Sequence, residues 1–128
     1  MSQSPIFVKT YDLILWLWPK TIKFPREHRF VLARQVQESA IRFQTHLIEA
    51  GSLPKQNRRG KLALLNKADI ELVKLRFFLR LCRDLNLLKP RKHRHAAERL
   101  DELGRLLGGW FKAMEAEPYR EQIPNLPQ

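Results

Sequence analysis

The chain has 128 residues, 44% of them apolar, enough for one domain that folds without staples and too apolar for a disordered chain. A single cysteine, Cys82, excludes an internal disulfide framework and fits a reducing compartment. Charge is the outlier: 24 Lys and Arg against 13 Asp and Glu give +11, which points to a polyanionic partner or an acidic surface.

The first apolar segment is Leu13-Ile14-Leu15-Trp16-Leu17-Trp18. Its six residues fall far short of the ~20 that a membrane span needs. The N-terminus has neither the basic stretch nor the small-residue cleavage site of a signal peptide, so a cytosolic protein is expected. A helix is predicted over roughly residues 6–23, apolar nearly all round, with Pro19 kinking or ending it. Leu13, Leu15, Trp16, Leu17 and Trp18 cannot all face one core, and apolar surface left outside a bundle marks an interface. A homo-oligomer using this helix is therefore expected.

Proline then sets the remaining boundaries. The intervals 26–53, 55–89 and 91–117 contain none, and each is long enough for six or more helical turns. In the second helix Phe30, Ala33, Val36, Ala40, Phe43, Leu47 and Ala50 recur at three- and four-residue spacing. The third carries Leu65, Ala68, Leu72, Leu75, Leu79 and Cys82 on one face, with Phe78, Leu81, Leu85 and Leu88 beside it. The fourth carries Ala96, Leu100, Leu103, Leu107, Trp110 and Met114. Gly104 and Gly108 interrupt this last helix, either loosening it or admitting a close neighbour such as a second subunit. Short polar joints imply antiparallel neighbours, hence an all-α, up-down-up-down four-helix bundle over 1–114. The segment 115–128, with Pro118, Pro124 and Pro127, is expected to be an extended or disordered tail.

Residues 51–110 hold a net charge of +9 of the total. Two basic knots stand out, Lys55, Arg58, Arg59 and Lys61 before the third helix, and Lys89, Arg91, Lys92 and Arg94 before the fourth. Arg76, Arg80 and Arg83 share a face of the third helix. Such groups contact phosphates, or they form a solvated face; the net excess favours nucleic acid. No readout module is visible, so any such binding is largely without sequence preference.

Enzyme readings find little support. No His follows an Arg at the spacing of a helical-bundle ribonuclease, and His93 and His95 lie among cations that oppose a metal. Cys82 falls on a core stripe as a structural thiol. No cofactor, metal site or catalytic residue is expected.

Three stretches together, LILWLWPKTIKFPREHRFVLARQVQ from Leu13, KLRFFLRLCRDLNLL from Lys74 and LGRLLGGWFK from Leu103, resemble the accessory variability determinant (Avd) proteins of diversity-generating retroelements. The resemblance spans about residues 8–114 and is best at Phe24-Pro25-Arg26, Arg29-Phe30, Lys74-Leu75-Arg76-Phe77, Arg80 and Gly108-Gly109-Trp110. It implies a basic four-helix bundle in a ring-like homopentamer, in which five copies at +11 each carry +55. It further implies a bacterial or phage-encoded cytoplasmic protein that binds the retroelement's reverse transcriptase and RNA or DNA, without being an enzyme. Such proteins support mutagenic cDNA synthesis that diversifies a target gene. Arg76, Arg80 and Arg83 are then the candidates for transcriptase or nucleic-acid contact, and Arg26 and Arg29 are candidates instead for satisfying carbonyls at a bundle end. A related four-helix family, encoded by intervening sequences of ribosomal RNA genes, supplies the alternative: a stand-alone bundle that binds RNA or DNA without sequence specificity.

Overall fold

The computed structural model describes residues 4–116. Its helices are α1 (Pro5–Ile22), α2 (Arg34–Ser52), α3 (Arg58–Asp84) and α4 (Pro90–Glu115). A helical turn (Arg26–His28) and a π-helical segment (Arg29–Ala33) lead into α2. The tail expected from 115 lies outside the described residues from 117 onward, and α4 itself runs to Glu115.

Pro19 does not end α1. It deprives the Leu15 carbonyl of its usual donor, yet the helix continues to Ile22. Side chains brace that turn: Lys20 Nζ donates to the Trp16 carbonyl at 3.3 Å, and Thr21 Oγ1 lies 2.9 Å from the Trp18 carbonyl. Ile6, Thr10, Leu13, Leu17 and Thr21 are the buried positions, and Thr10 satisfies its hydroxyl on the Ile6 carbonyl at 2.6 Å.

The stripe predicted for the second helix holds from Ala33 to Ala50, all of it buried, but fails at Phe30, which is 75% exposed. The cause is the π-helical segment. Its wider turn inserts a residue and slips the helical phase, so Leu32 joins Ala33 inside and Phe30 and Val31 rotate out.

At the start of α3, Asn57 Oδ1 accepts a hydrogen bond from Gly60 N at 2.9 Å. A Cβ at Gly60 would come within 2.7 Å of that oxygen, so a larger residue there would push the capping Asn57 side chain aside. The predicted stripe from Leu65 to Cys82 is buried throughout, and burial pushes the Cys82 thiol up to about 12. The helix ends on Asn86 at φ 62°, with Leu87 N donating to the Cys82 carbonyl at 2.8 Å and Asn86 N to the Arg83 carbonyl at 3.0 Å. This is a Schellman cap, which closes the orphan carbonyls. Pro90, in the first turn of α4, restarts the chain in helix after an extended Lys89.

In the bundle α1 packs on α2 and α4, α2 on α3, and α3 on α4. Each helix thus neighbours its partners in sequence, and the first and last close the square, as the short joints predict. The core takes Leu13, Leu17, Val36, Phe43, Leu47, Leu65, Leu75, Leu79, Leu100, Leu103 and Leu107. Two amides tie α1 to α2: Gln37 Nε2 donates to Thr21 Oγ1 at 2.9 Å and Gln44 Nε2 to the Phe7 carbonyl at 3.2 Å.

The left-handed cap makes a direct test. Asn86→Ala should lower stability by about 1 kcal/mol, whereas Asn86→Gly should keep or raise it, read from urea midpoints.

Candidate nucleic-acid interface

The up-down-up-down order brings two joints, α1 to α2 and α3 to α4, to the same end of the bundle. Residues 20–29 and 80–94 meet there. Together they hold ten Lys and Arg against two acids, Glu27 and Asp84. The two stretches are in mutual contact electrostatically: burial and then the charges of Lys92 and Lys23 push the Lys20 ammonium below its ordinary value. Trp16 stacks on His95 with ring centroids 4.7 Å apart, and Lys20 Nζ sits 3.9 Å above the Trp16 ring. Lys20 and Lys23 escaped the reading by charge knots because they are isolated in sequence. Arg26 and Arg29 are exposed at this end.

Arg76, Arg80 and Arg83 all lie on the side of α3 that meets α4, but they differ in use. Arg76 Nη1 pairs with Asp101 Oδ1 at 2.7 Å and its Nη2 donates to the Leu100 carbonyl at 3.2 Å. Arg76 therefore cross-links the two helices. Gly104 leaves it room, since a Cβ there would meet Arg76 Nη2 at 3.4 Å. The close neighbour of this glycine is its own chain's arginine. Arg83 Nε pairs with the adjacent Asp84 at 3.0 Å. Arg80 is exposed, and beside it a cavity of about 190 Å³ is lined by Arg76, His93 and Leu100. Burial and the Arg83 charge hold His93 below its usual range.

The knot of Lys89, Arg91, Lys92 and Arg94 straddles the start of α4, and Arg58, Arg59 and Lys61 occupy the first turn of α3. Neither first turn contains an acid. Cations here oppose the positive end of the helix macrodipole, an arrangement that costs about 0.3–1 kcal/mol and that a bound anion relieves. The two knots sit at opposite ends, since the 27 residues of α3 span about 40 Å. Lys61 Nζ donates to the Ala50 carbonyl at 2.8 Å and so caps α2, while Lys55 is exposed.

Of the residues proposed for contact between copies, Leu13 and Leu17 lie in the core of their own chain. Trp16 is half-buried against α4, and Leu15 and Trp18 face outward. Beside Gly108 a Cβ would meet open space. His93 and His95 diverge, one toward α3 and the other onto Trp16. Among the described residues no three His, Cys, Asp or Glu are grouped to hold a metal ion, and no helix is long and apolar enough to cross a membrane.

These roles separate in unfolding experiments. Arg76→Ala should cost about 1 kcal/mol, and a double-mutant cycle with Asp101→Ala should show coupling. Arg80→Ala should move stability by less than ~0.5 kcal/mol. Equal losses for both would contradict the assignment.

Among curated proteins none matches the chain. A family model described as bAvd-like matches residues 6–114, from the first turn of α1 to the last of α4. With four packed helices spanned end to end by that match, the chain belongs to the bAvd-like family.

Proposed function

We propose that this protein is a non-enzymatic accessory subunit of a diversity-generating retroelement. It binds the element's reverse transcriptase together with template RNA or its cDNA, and supports the mutagenic copying that diversifies a target gene. The subunit works as a ring-like homopentamer in the bacterial cytoplasm. Family membership supports the reading, and one observation of the molecule carries it: ten cations against two acids at one end of the bundle.

The chemistry is positioning by charge. Guanidinium groups such as Arg80, Arg91 and Arg94 take phosphate oxygens in pairs, and ammonium groups such as Lys23 and Lys89 add point charges. Counterions released from the nucleic acid drive the association, which makes it steeply salt-dependent. Phosphate contacts carry no sequence information, so choice of template falls to the transcriptase. The accessory subunit concentrates and orients the nucleic acid beside that enzyme.

Co-purification of the tagged full chain with the transcriptase encoded beside it, after nuclease digestion and a high-salt wash, is the test. Salt screens exposed charge contacts, so a complex that survives has a protein–protein interface of its own, as expected of a subunit. Loss of the transcriptase under these conditions would overturn the accessory reading and leave a stand-alone nucleic-acid-binding bundle.

A further inference from the structure

Two rows of apolar side chains lie on the outside of the bundle. On α1, Val8, Tyr11, Leu15, Trp18 and Ile22 follow one another by three, four, three and four residues, each between 39% and 59% exposed. On α3, Ile70, Val73, Phe77 and Leu81 repeat by three, four and four, with Phe77 60% exposed. Helices put such spacings on one face, so each row is a continuous stripe, separate from the one that its helix buries. Each stripe offers apolar surface on the order of 500 Å², near the upper end of what a monomer leaves bare. Joined, they reach the ~1,000 Å² that a specific interface requires.

Their placement decides how copies would use them. α1 and α3 each pack on α2 and α4, so the two striped helices occupy opposite corners of the square. A self-complementary contact through one stripe would leave the other in water. A joint between the α1 stripe of one copy and the α3 stripe of the next covers both, and it repeats head to tail. Shape agrees with this pairing. Beside Trp18 a groove of about 450 Å³ runs between α1 and α2, lined by Trp18 and Ile41 together with Gln37 and the ion-paired Arg34, Glu38 and Arg42, whose methylene stems give an entering ring further apolar surface. On the α3 stripe, by contrast, Phe77 is the large ring left mostly outside the fold.

We propose that the α1 stripe of one copy docks on the α3 stripe of the next, with Phe77 entering the groove beside Trp18. The proposal rests on the reading of the protein as a ring-forming subunit and names the two faces that make the ring. The partner is a second copy of this chain, and the contact is heterologous.

Mixing two variants tests it. Leu15→Glu and Phe77→Glu change exposed side chains, so each should keep the helical circular dichroism of the parent. Light scattering should find the parent as a multimer and each variant alone as a 15.2 kDa monomer, because every joint would contain one damaged stripe. An equimolar mixture should give a species of twice that mass, since the intact α3 stripe of one variant meets the intact α1 stripe of the other. Retention of the parental mass by either variant, or a mixture that stays monomeric, would overturn the stripe pairing while leaving the multimer standing. A parent that is monomeric at every concentration would overturn the ring itself.

Discussion

α2 and α3 pack on each other more extensively than any other pair of helices. Val36, Ala40, Phe43, Leu47 and Ala50 from one, and Leu65, Ala68, Leu72, Leu75 and Leu79 from the other, enter a shared core. The alanines keep the two backbones close, and the large side chains fill the space between them. Once this antiparallel pair is set, α1 and α4 have only the flanks to occupy. Their joints to α2 and α3 must then emerge at one end, and the cations of those joints pool there. The electrostatics of the molecule thus follow from an apolar seam.

The same cations divide into two groups by what they touch. Lys9 pairs with Glu102 at 3.0 Å across α1 and α4, Arg76 reaches Asp101 and Leu100, and Lys61 closes the end of α2. On the outer face of α2, Glu38 lies between Arg34 and Arg42, and the hydrogen bond from Arg34 holds its carboxyl below the usual range. These groups belong to the fold. The exposed cations at the α1–α2 and α3–α4 joints are different: they stand against one another and, at the start of α4, against the helix macrodipole. A well-packed core tolerates that repulsion, and a polyanion would remove it.

Most of the buried face was legible in the sequence, because α-helical spacing is strict where the helix is regular. Every residue of the stripe from Leu65 to Cys82 is inside, as are Ala96, Leu100, Leu103, Leu107 and Met114 in α4. Phe30 misled because a π-helical turn changes the period, and nothing in the composition of residues 29–33 announces it. In α1 the run of apolar residues hid two stripes within one segment. Leu13 and Leu17 serve the core while Leu15 and Trp18 face outward, and the outer row extends to Val8, Tyr11 and Ile22. That row follows the same three- and four-residue rule, so the signal was present but masked by its neighbours. The basic end was the least legible feature, since Lys20 and Lys92 come together only through topology.

Whether this end is the working surface is a question of position, and lysine acetylation footprinting reads position directly. The full protein would be labelled free and in complex with the template RNA and transcriptase proposed as its partners. If the basic end is the contact surface, Lys23, Lys89 and Lys92 should lose reactivity several-fold. Lys55 and Lys112, at the other end of a bundle about 40 Å long, should keep theirs. Equal protection at both ends, or protection confined to Lys55 and Lys112, would contradict it.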